Sequence, residues 1–150
     1  MNSLSFKTKF GWITAFEEKG KIVRIKFAKH RNKSISKNLM NLKNKINDFF
    51  NKKNKTVKSN FLIIGNNIQK KVWKELLNIK LGKTKSYGDI AKKFNISPRY
   101  VGKICAQNKI PLAIPCHRVI RSDGSLGGFS ARGGIKLKKK LLNFENQSAT

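Results

Sequence analysis

SYGDIAKKFNISPRYVGKICAQN, residues 86–108, carries two helix starts in close succession. Ser86 can cap a short helix over Tyr87 to Phe94, and Asp89 falls in its first turn, where a negative charge suits the helix dipole. Asn95-Ile96 makes a tight connection. Ser97 then stands at an N-cap position with Pro98 at N1, where the missing N–H is not needed. From Arg99 a second helix runs through RYVGKICAQN. Val101, Ile104 and Cys105 form its inward face, and Arg99, Gly102, Lys103 and Ala106 share the opposite one. Two short helices, a turn and a basic residue at the second helix's start make a helix-turn-helix arrangement. Gly102 and Ala106 keep the outward face thin enough to approach a groove. Helix pairs of this kind also serve as packing units, so the pattern alone leaves DNA binding open.

Downstream, IPLAIPCHRVIRSDGSLGGFSARGG (110–134) changes character. Pro111 and Pro115 stiffen the approach to Cys116 and restrict the residues before them. His117 and Arg118 follow directly, and nearby cationic groups favour the thiolate that a sulfur nucleophile requires. Adjacent side chains diverge in helix and strand alike, so His117 would act on Cys116 through a water or within an irregular turn. The pairs Asp123-Gly124, Gly127-Gly128 and Gly133-Gly134 permit sharp turns and close backbone approach to a flat ligand. A buried structural cysteine beside a surface histidine fits the same residues. Cys105, on the apolar side of its helix, reads as core.

Upstream, IQKKVWKELLNI places Ile68, Val72, Leu76 and Leu77 on one side of a helix with Trp73 beside them, and Gly82 can stop it. The first 27 residues read as β structure: LSFKTKF, WITAFEE and KIVRIKF, broken at Gly11 and at Glu18-Lys19-Gly20, the last two runs forming a hairpin. Over 35–49 the period becomes helical, with Ile35, Leu39, Leu42, Ile46 and Phe49 on one stripe. NKKNKTVKSN (51–60) is a surface loop or a linker. The expected architecture is a two-part α/β protein. A small antiparallel sheet with a helix occupies 1–60, and a mainly helical domain containing the helix-turn-helix occupies 61–150.

The 150 residues carry 34 Lys and Arg against 7 Asp and Glu, a net charge of +27. Hydrophobic residues at 39% still supply a core, which argues against disorder. The excess is no tail, since residues 1–60 hold 16 basic and 3 acidic residues and 61–150 hold 18 and 4. A polyanion partner follows from counterion release, although compositional drift in a chain rich in Lys, Asn and Ile yields the same excess. Two cysteines make no secretory disulfide framework, and two histidines with few acids supply no zinc cluster. No apolar run approaches 18 residues and the start lacks a signal-peptide core, so a soluble cytoplasmic protein off the membrane is expected.

Pro115-Cys116-His117-Arg118-Val119 closely resembles the active-site signature of the O6-alkylguanine-DNA alkyltransferases. The resemblance extends through IQKKVWKELLNIKLGKTKSYGDIAKKF, SPRYVGKICAQN and GGFSARGGIKLKKKLLNFE, nearly all of residues 64–145, whereas residues 1–60 resemble the family's amino-terminal domain only weakly. It implies that Cys116 accepts the alkyl group, that His117 deprotonates it through a water, and that Glu145 orients the histidine. Tyr87 then assists the departing guanine, Arg99 fills the gap left by a flipped nucleotide, and Asn108 braces the turn into the active-site segment. Val119 and Ser130 match positions whose backbone groups surround the guanine, with Pro115 part of the same pocket frame. The implied partner is duplex DNA carrying O6-methylguanine, and O4-methylthymine beside it. The protein would act as a monomer with no cofactor and no metal.

Sulfur attack needs a thiolate and a donor for the leaving oxygen, and the nucleotide must leave the base stack at a cost of a few kcal/mol. No visible group would hydrolyse the thioether, so each molecule acts once. Phe129 stands where the common family form has Tyr, and the stretch to Gly134 is longer, which leaves lesion size open. Arg132 adds charge there. Alkyltransferase-like proteins carry Trp at the acceptor position, and Cys116 separates this chain from them. Its length and cysteines predict no extra adaptive-response module. A non-enzymatic helix-turn-helix DNA binder with an inert or redox-responsive Cys-His pair predicts the same salt-sensitive binding without alkyl transfer. A thiol hydrolase would turn over repeatedly.

Overall fold

In the first part of the chain, apolar residues alternate because every second side chain of a half-buried strand must leave water. The computed structural model describes residues 1–129 and 131–148. Its first elements are β1 (Asn2–Thr8), β2 (Gly11–Glu18) and β3 (Lys21–Lys26), an antiparallel meander in that order. Phe6 stands opposite Ile13 and Ala15 opposite Ile25. At the β2–β3 turn Gly20 has φ 77, a region where a side chain is strained. Leu4, Phe6, Ile13, Ala15, Ile22 and Ile25 are buried, and α1 (Lys37–Phe50) packs against the sheet through Leu39, Leu42, Ile46, Phe49 and Phe50.

Ile35 does not join that stripe. Ser36 takes the N-cap, its hydroxyl accepting from the Leu39 N–H, so the helix starts after Ile35, which is 51% exposed. Residues 51–60 then return to the sheet. The Ile22 N–H donates to Asn60 O at 2.8 Å, and the Leu62 N–H donates to Ile22 O at 2.9 Å. The chain divides into two compact units, Met1–Ile63 and Ile64 onward.

The second unit begins with α2 (Asn67–Leu76), started by a capping box between Asn66 and Gln69. Val72, Trp73 and Leu76 are buried, and the Trp73 indole N–H donates to Ile104 O at 3.1 Å. Leu77 does not line this face: it is the C-cap and 51% exposed, while Ile79 turns inward in its place. β4 (Lys85–Ser86) leads straight into α3 (Tyr87–Phe94), which Ser86 caps through the Asp89 N–H. Asn95, in the left-handed region at φ 53, ends α3. After Ile96, the Ser97 hydroxyl caps α4 (Pro98–Ala106) by accepting from the Tyr100 N–H. Buried Glu75 accepts from Lys85 at 2.9 Å and Lys93 at 2.6 Å, tying α2 to β4 and α3. β5 (Val119–Ile120) pairs in parallel with β4, Lys85 opposite Val119, and α5 (Gly134–Ser148) closes the unit. That pairing brings the start of α3 beside the segment that follows Cys116. Among the described residues, no helix is long and apolar enough to cross a membrane.

Candidate active site

Pro115 is buried and leads into a single 3-10 turn, Cys116–Arg118. Asn108 fixes the approach from both sides. Its amide N–H donates to Ile114 O at 2.9 Å, and its carbonyl oxygen accepts from the Ile110 N–H at 3.0 Å. Leu112, at φ 74, sits at the tip of the loop so closed. The tight turn resolves the problem of adjacent side chains: Cys116 lines a cavity, while His117 points toward α5.

His117 is fully buried, with Nε2 2.8 Å from Glu145 Oε2. Arg118 holds the same carboxylate with two nitrogens, Nε donating to Oε1 at 2.7 Å and Nη2 to Oε2 at 2.9 Å. Its Nη1 donates to Ile79 O at 2.7 Å. Burial works against the charge of Glu145, but the bonds and charges of His117 and then Arg118 outweigh it and hold the carboxyl at about 2. An ionised carboxylate only accepts, so Nε2 carries a hydrogen, and whenever His117 is neutral its lone pair lies on Nδ1. That Nδ1 is buried and has no hydrogen-bond partner among the described residues.

The folded carboxyl value lies below the usual 4.5, so this linkage stabilises the fold fully above about pH 4.5 and is lost as pH falls toward 2. It is worth on the order of 3 kcal/mol. Urea unfolding followed from pH 6 to pH 2 should show a steep fall in that window, and the fall should shrink in Glu145→Gln.

The cavity has a volume of about 790 Å³ and is open to solvent. Tyr87, Arg99, Gly102, Ala106, Cys116 and Phe129 line it, as do Cys105, Arg121 and the backbone of Gly127-Gly128. The expected outward face of α4 thus borders the cavity, except that Lys103 is exposed and outside its lining. Burial, followed by the charges of Cys105 and Cys116, pushes the Tyr87 hydroxyl up to about 12 against the opposing effect of Arg121. Tyr87 therefore keeps its proton at neutral pH. A Cβ on Gly127 would stand 3.0 Å from the Tyr87 ring and 3.1 Å from its oxygen, at φ 71, so only glycine fits. Cys105 is buried as expected but also forms part of this wall, and burial followed by the charge of Cys116 pushes its thiol up to about 12. Val119 lies behind the wall, fully buried. Ser130 lies outside the described residues.

Two residues of the site have roles that the sequence does not show. Arg118, expected beside Cys116 as a cation favouring the thiolate, instead commits its guanidinium to Glu145 and Ile79 O. Lys138 is fully buried, its ammonium donating to Val119 O and Leu126 O, both at 2.6 Å, to Gly128 O at 3.1 Å and to Tyr87 Oη at 3.3 Å. The spacing of α5 carries a signal: Leu137, Lys138, Leu141, Phe144 and Glu145 fall on one helical face, and all are buried.

The family described as 6-O-methylguanine DNA methyltransferase, DNA binding domain, matches residues 67–147. The chain belongs to this family. Methylated-DNA–protein-cysteine methyltransferase of Metallosphaera sedula is 36% identical over 144 residues, 94% of this chain and 90% of that protein. Its counterpart in Methanocaldococcus vulcanius is 55% identical over 76 residues, 51% of this chain but only 45% of that protein. The chain therefore spans under half the length of some of the curated relatives it matches. Mycobacterium tuberculosis OGT, solved in complex with DNA, superposes with a TM-score of 0.87 at 26% identity, covering 99% of this chain and 94% of that one. The O6-methylguanine DNA methyltransferase of Methanococcus jannaschii gives 0.70 at 30% identity over 95% and 93% of the two chains.

Proposed function

We propose that this chain repairs duplex DNA directly, moving the alkyl group of O6-methylguanine irreversibly onto Cys116, and that O4-methylthymine is a second substrate. The observation that carries the reading is a cysteine in the wall of an open cavity, followed by a histidine whose far nitrogen is bonded to a buried, ionised glutamate. Glu145 fixes the tautomer of His117, leaving Nδ1 to take the Cys116 proton through a bridging water. The sulfur attacks the alkyl carbon: the S–C bond forms, the C–O6 bond breaks, and its electron pair goes to the guanine. Tyr87 donates the proton that neutralises the departing base. The thioether persists, so each molecule acts once.

In this reading α3 and α4 are a helix-turn-helix with α4 in the groove, Gly102 and Ala106 allowing close approach and Lys103 meeting phosphate. Arg99 fills the gap left by the extruded nucleotide. Asn108 and Pro115 hold the acceptor segment in place, with Val119 buried behind the cavity wall. The net charge of +27 favours binding that weakens steeply with salt. The protein works as a monomer, without cofactor, on chromosomal DNA in the cytoplasm.

Incubation with a duplex containing O6-methylguanine should add one methyl group, about 14 Da, to the intact protein, and peptide mapping should locate it on Cys116. Salt-sensitive binding of that duplex with no gain in mass would instead identify a DNA-binding module. Arg99→Ala tests the wedge. It should lose much of the reaction with duplex, roughly 10-fold or more, while keeping the slower reaction with free O6-methylguanine, which needs no flipping. An equal fractional loss on both substrates would mean that Arg99 supports the fold.

A further inference from the structure

Lys138 has no part in that mechanism, yet it is a fully buried cation at the back of the cavity wall, and among the described residues none of its oxygen partners is a carboxylate. An ammonium has three N–H groups, and among the described residues it meets four acceptors. The two 2.6 Å bonds to Val119 O and Leu126 O take one hydrogen each. The third is shared between Gly128 O at 3.1 Å and Tyr87 Oη at 3.3 Å. Because the tyrosine oxygen accepts from this cation, its own hydrogen must point elsewhere, and Tyr87 borders the cavity that holds Cys116.

We infer that Lys138 is a positioning residue for alkyl transfer: its ammonium holds the Tyr87 hydroxyl as a proton donor aimed into the cavity. The inference rests on the role proposed above for Tyr87. Loss of one proton from Lys138 leaves two N–H groups, enough for the two short carbonyl bonds, so deprotonation releases the tyrosine selectively and leaves the wall standing. Burial pushes this ammonium down to about 8, against the effect of Cys116 and Cys105 and with that of Arg121. Those groups, on the Cys116 turn, α4 and the loop after β5, together with Tyr87 on α3, are the titratable and charged neighbours it faces. The folded value lies below the usual 10.5, so the charged form, and the orientation it enforces, is lost as pH rises through about 8.

The test uses free O6-methylguanine, which removes base flipping, with methylation of Cys116 read by mass. Parent, Lys138→Met, Tyr87→Phe and the double variant are compared. Tyr87→Phe should slow transfer by roughly 10- to 100-fold. Lys138→Met should come within about 3-fold of it, and the double variant should be no more than about 3-fold slower than Tyr87→Phe alone. If Lys138→Met slows transfer by the same factor in both backgrounds, the lysine merely supports the fold and the inference is overturned. Tyr87→Phe reacting as fast as the parent overturns the inference together with the role of the tyrosine, while methyl transfer to Cys116 would stand. Should Lys138→Met fail to fold, the parent and Tyr87→Phe, both carrying the lysine, decide the question. Their rate ratio, in which thiol ionisation cancels, should fall as pH rises through about 8. A flat ratio overturns the proposal.

Discussion

Cys116→Ser is expected to bind duplex DNA as the parent does and to lose alkyl transfer by upwards of about 10³-fold. A serine hydroxyl at neutral pH is a far weaker nucleophile than a thiolate. The cavity wall changes by only one atom, so binding has no reason to follow. Cys105→Ser is the control, because that thiol also borders the cavity. Burial pushes it up to about 12, so it stays protonated at neutral pH and is no alternative acceptor. Its replacement should keep transfer, apart from destabilisation by a buried hydroxyl. Both variants are assayed by rate and by the site of the added mass. Transfer at the parental rate by Cys116→Ser would sink the mechanism.

What the sequence revealed follows the range of the forces involved. The starts of α3 and α4 were legible because capping is local: Ser86 with Asp89, and Ser97 with Pro98, act within one turn. The strands and the stripe of α1 were legible from periodicity, except at the ends. Ile35 and Leu77 continue an apolar pattern, but caps end helices where backbone hydrogen bonds run out. The candidate site was legible in its residue types through PCHR, while its architecture was not. Arg118 and Glu145 are 27 positions apart, and Lys138 and Tyr87 are 51 apart. No local pattern joins such pairs. In KLKKKLL, Lys138 stands among lysines that read as a solvated face, and only its register with Leu141 and Glu145 sets it apart. Glu75 was hidden for the same reason: its burial depends on Lys85 and Lys93 arriving from elsewhere in the fold.

Glu145→Gln should therefore do more harm than a role in orienting His117 alone would imply. The carboxylate neutralises Arg118, whose side chain is 5% exposed and whose remaining nitrogen is committed to Ile79 O. An amide of the same shape can still accept from one neighbour, but it leaves a buried guanidinium without its counter-charge. Breaking such a pair costs about 3–5 kcal/mol, a large share of the roughly 5–15 kcal/mol that holds a domain together. Urea unfolding at pH 7 should show this loss for Glu145→Gln. Arg118→Met should be similarly damaged, since it leaves the carboxylate with His117 alone. The double variant should recover part of the deficit, because removing both charges leaves neither one buried and unpaired. Transfer must then be measured well below the melting temperature of each variant, where the folded fraction is complete. Under those conditions Glu145→Gln should still react more slowly than the parent, because a neutral amide cannot hold His117 as a base as an ionised carboxylate does. A Glu145→Gln protein as stable as the parent would show that Arg118 finds its counter-charge elsewhere. One that is unstable but reacts at full rate when folded would separate Glu145 from the chemistry and leave it as the keystone of the fold.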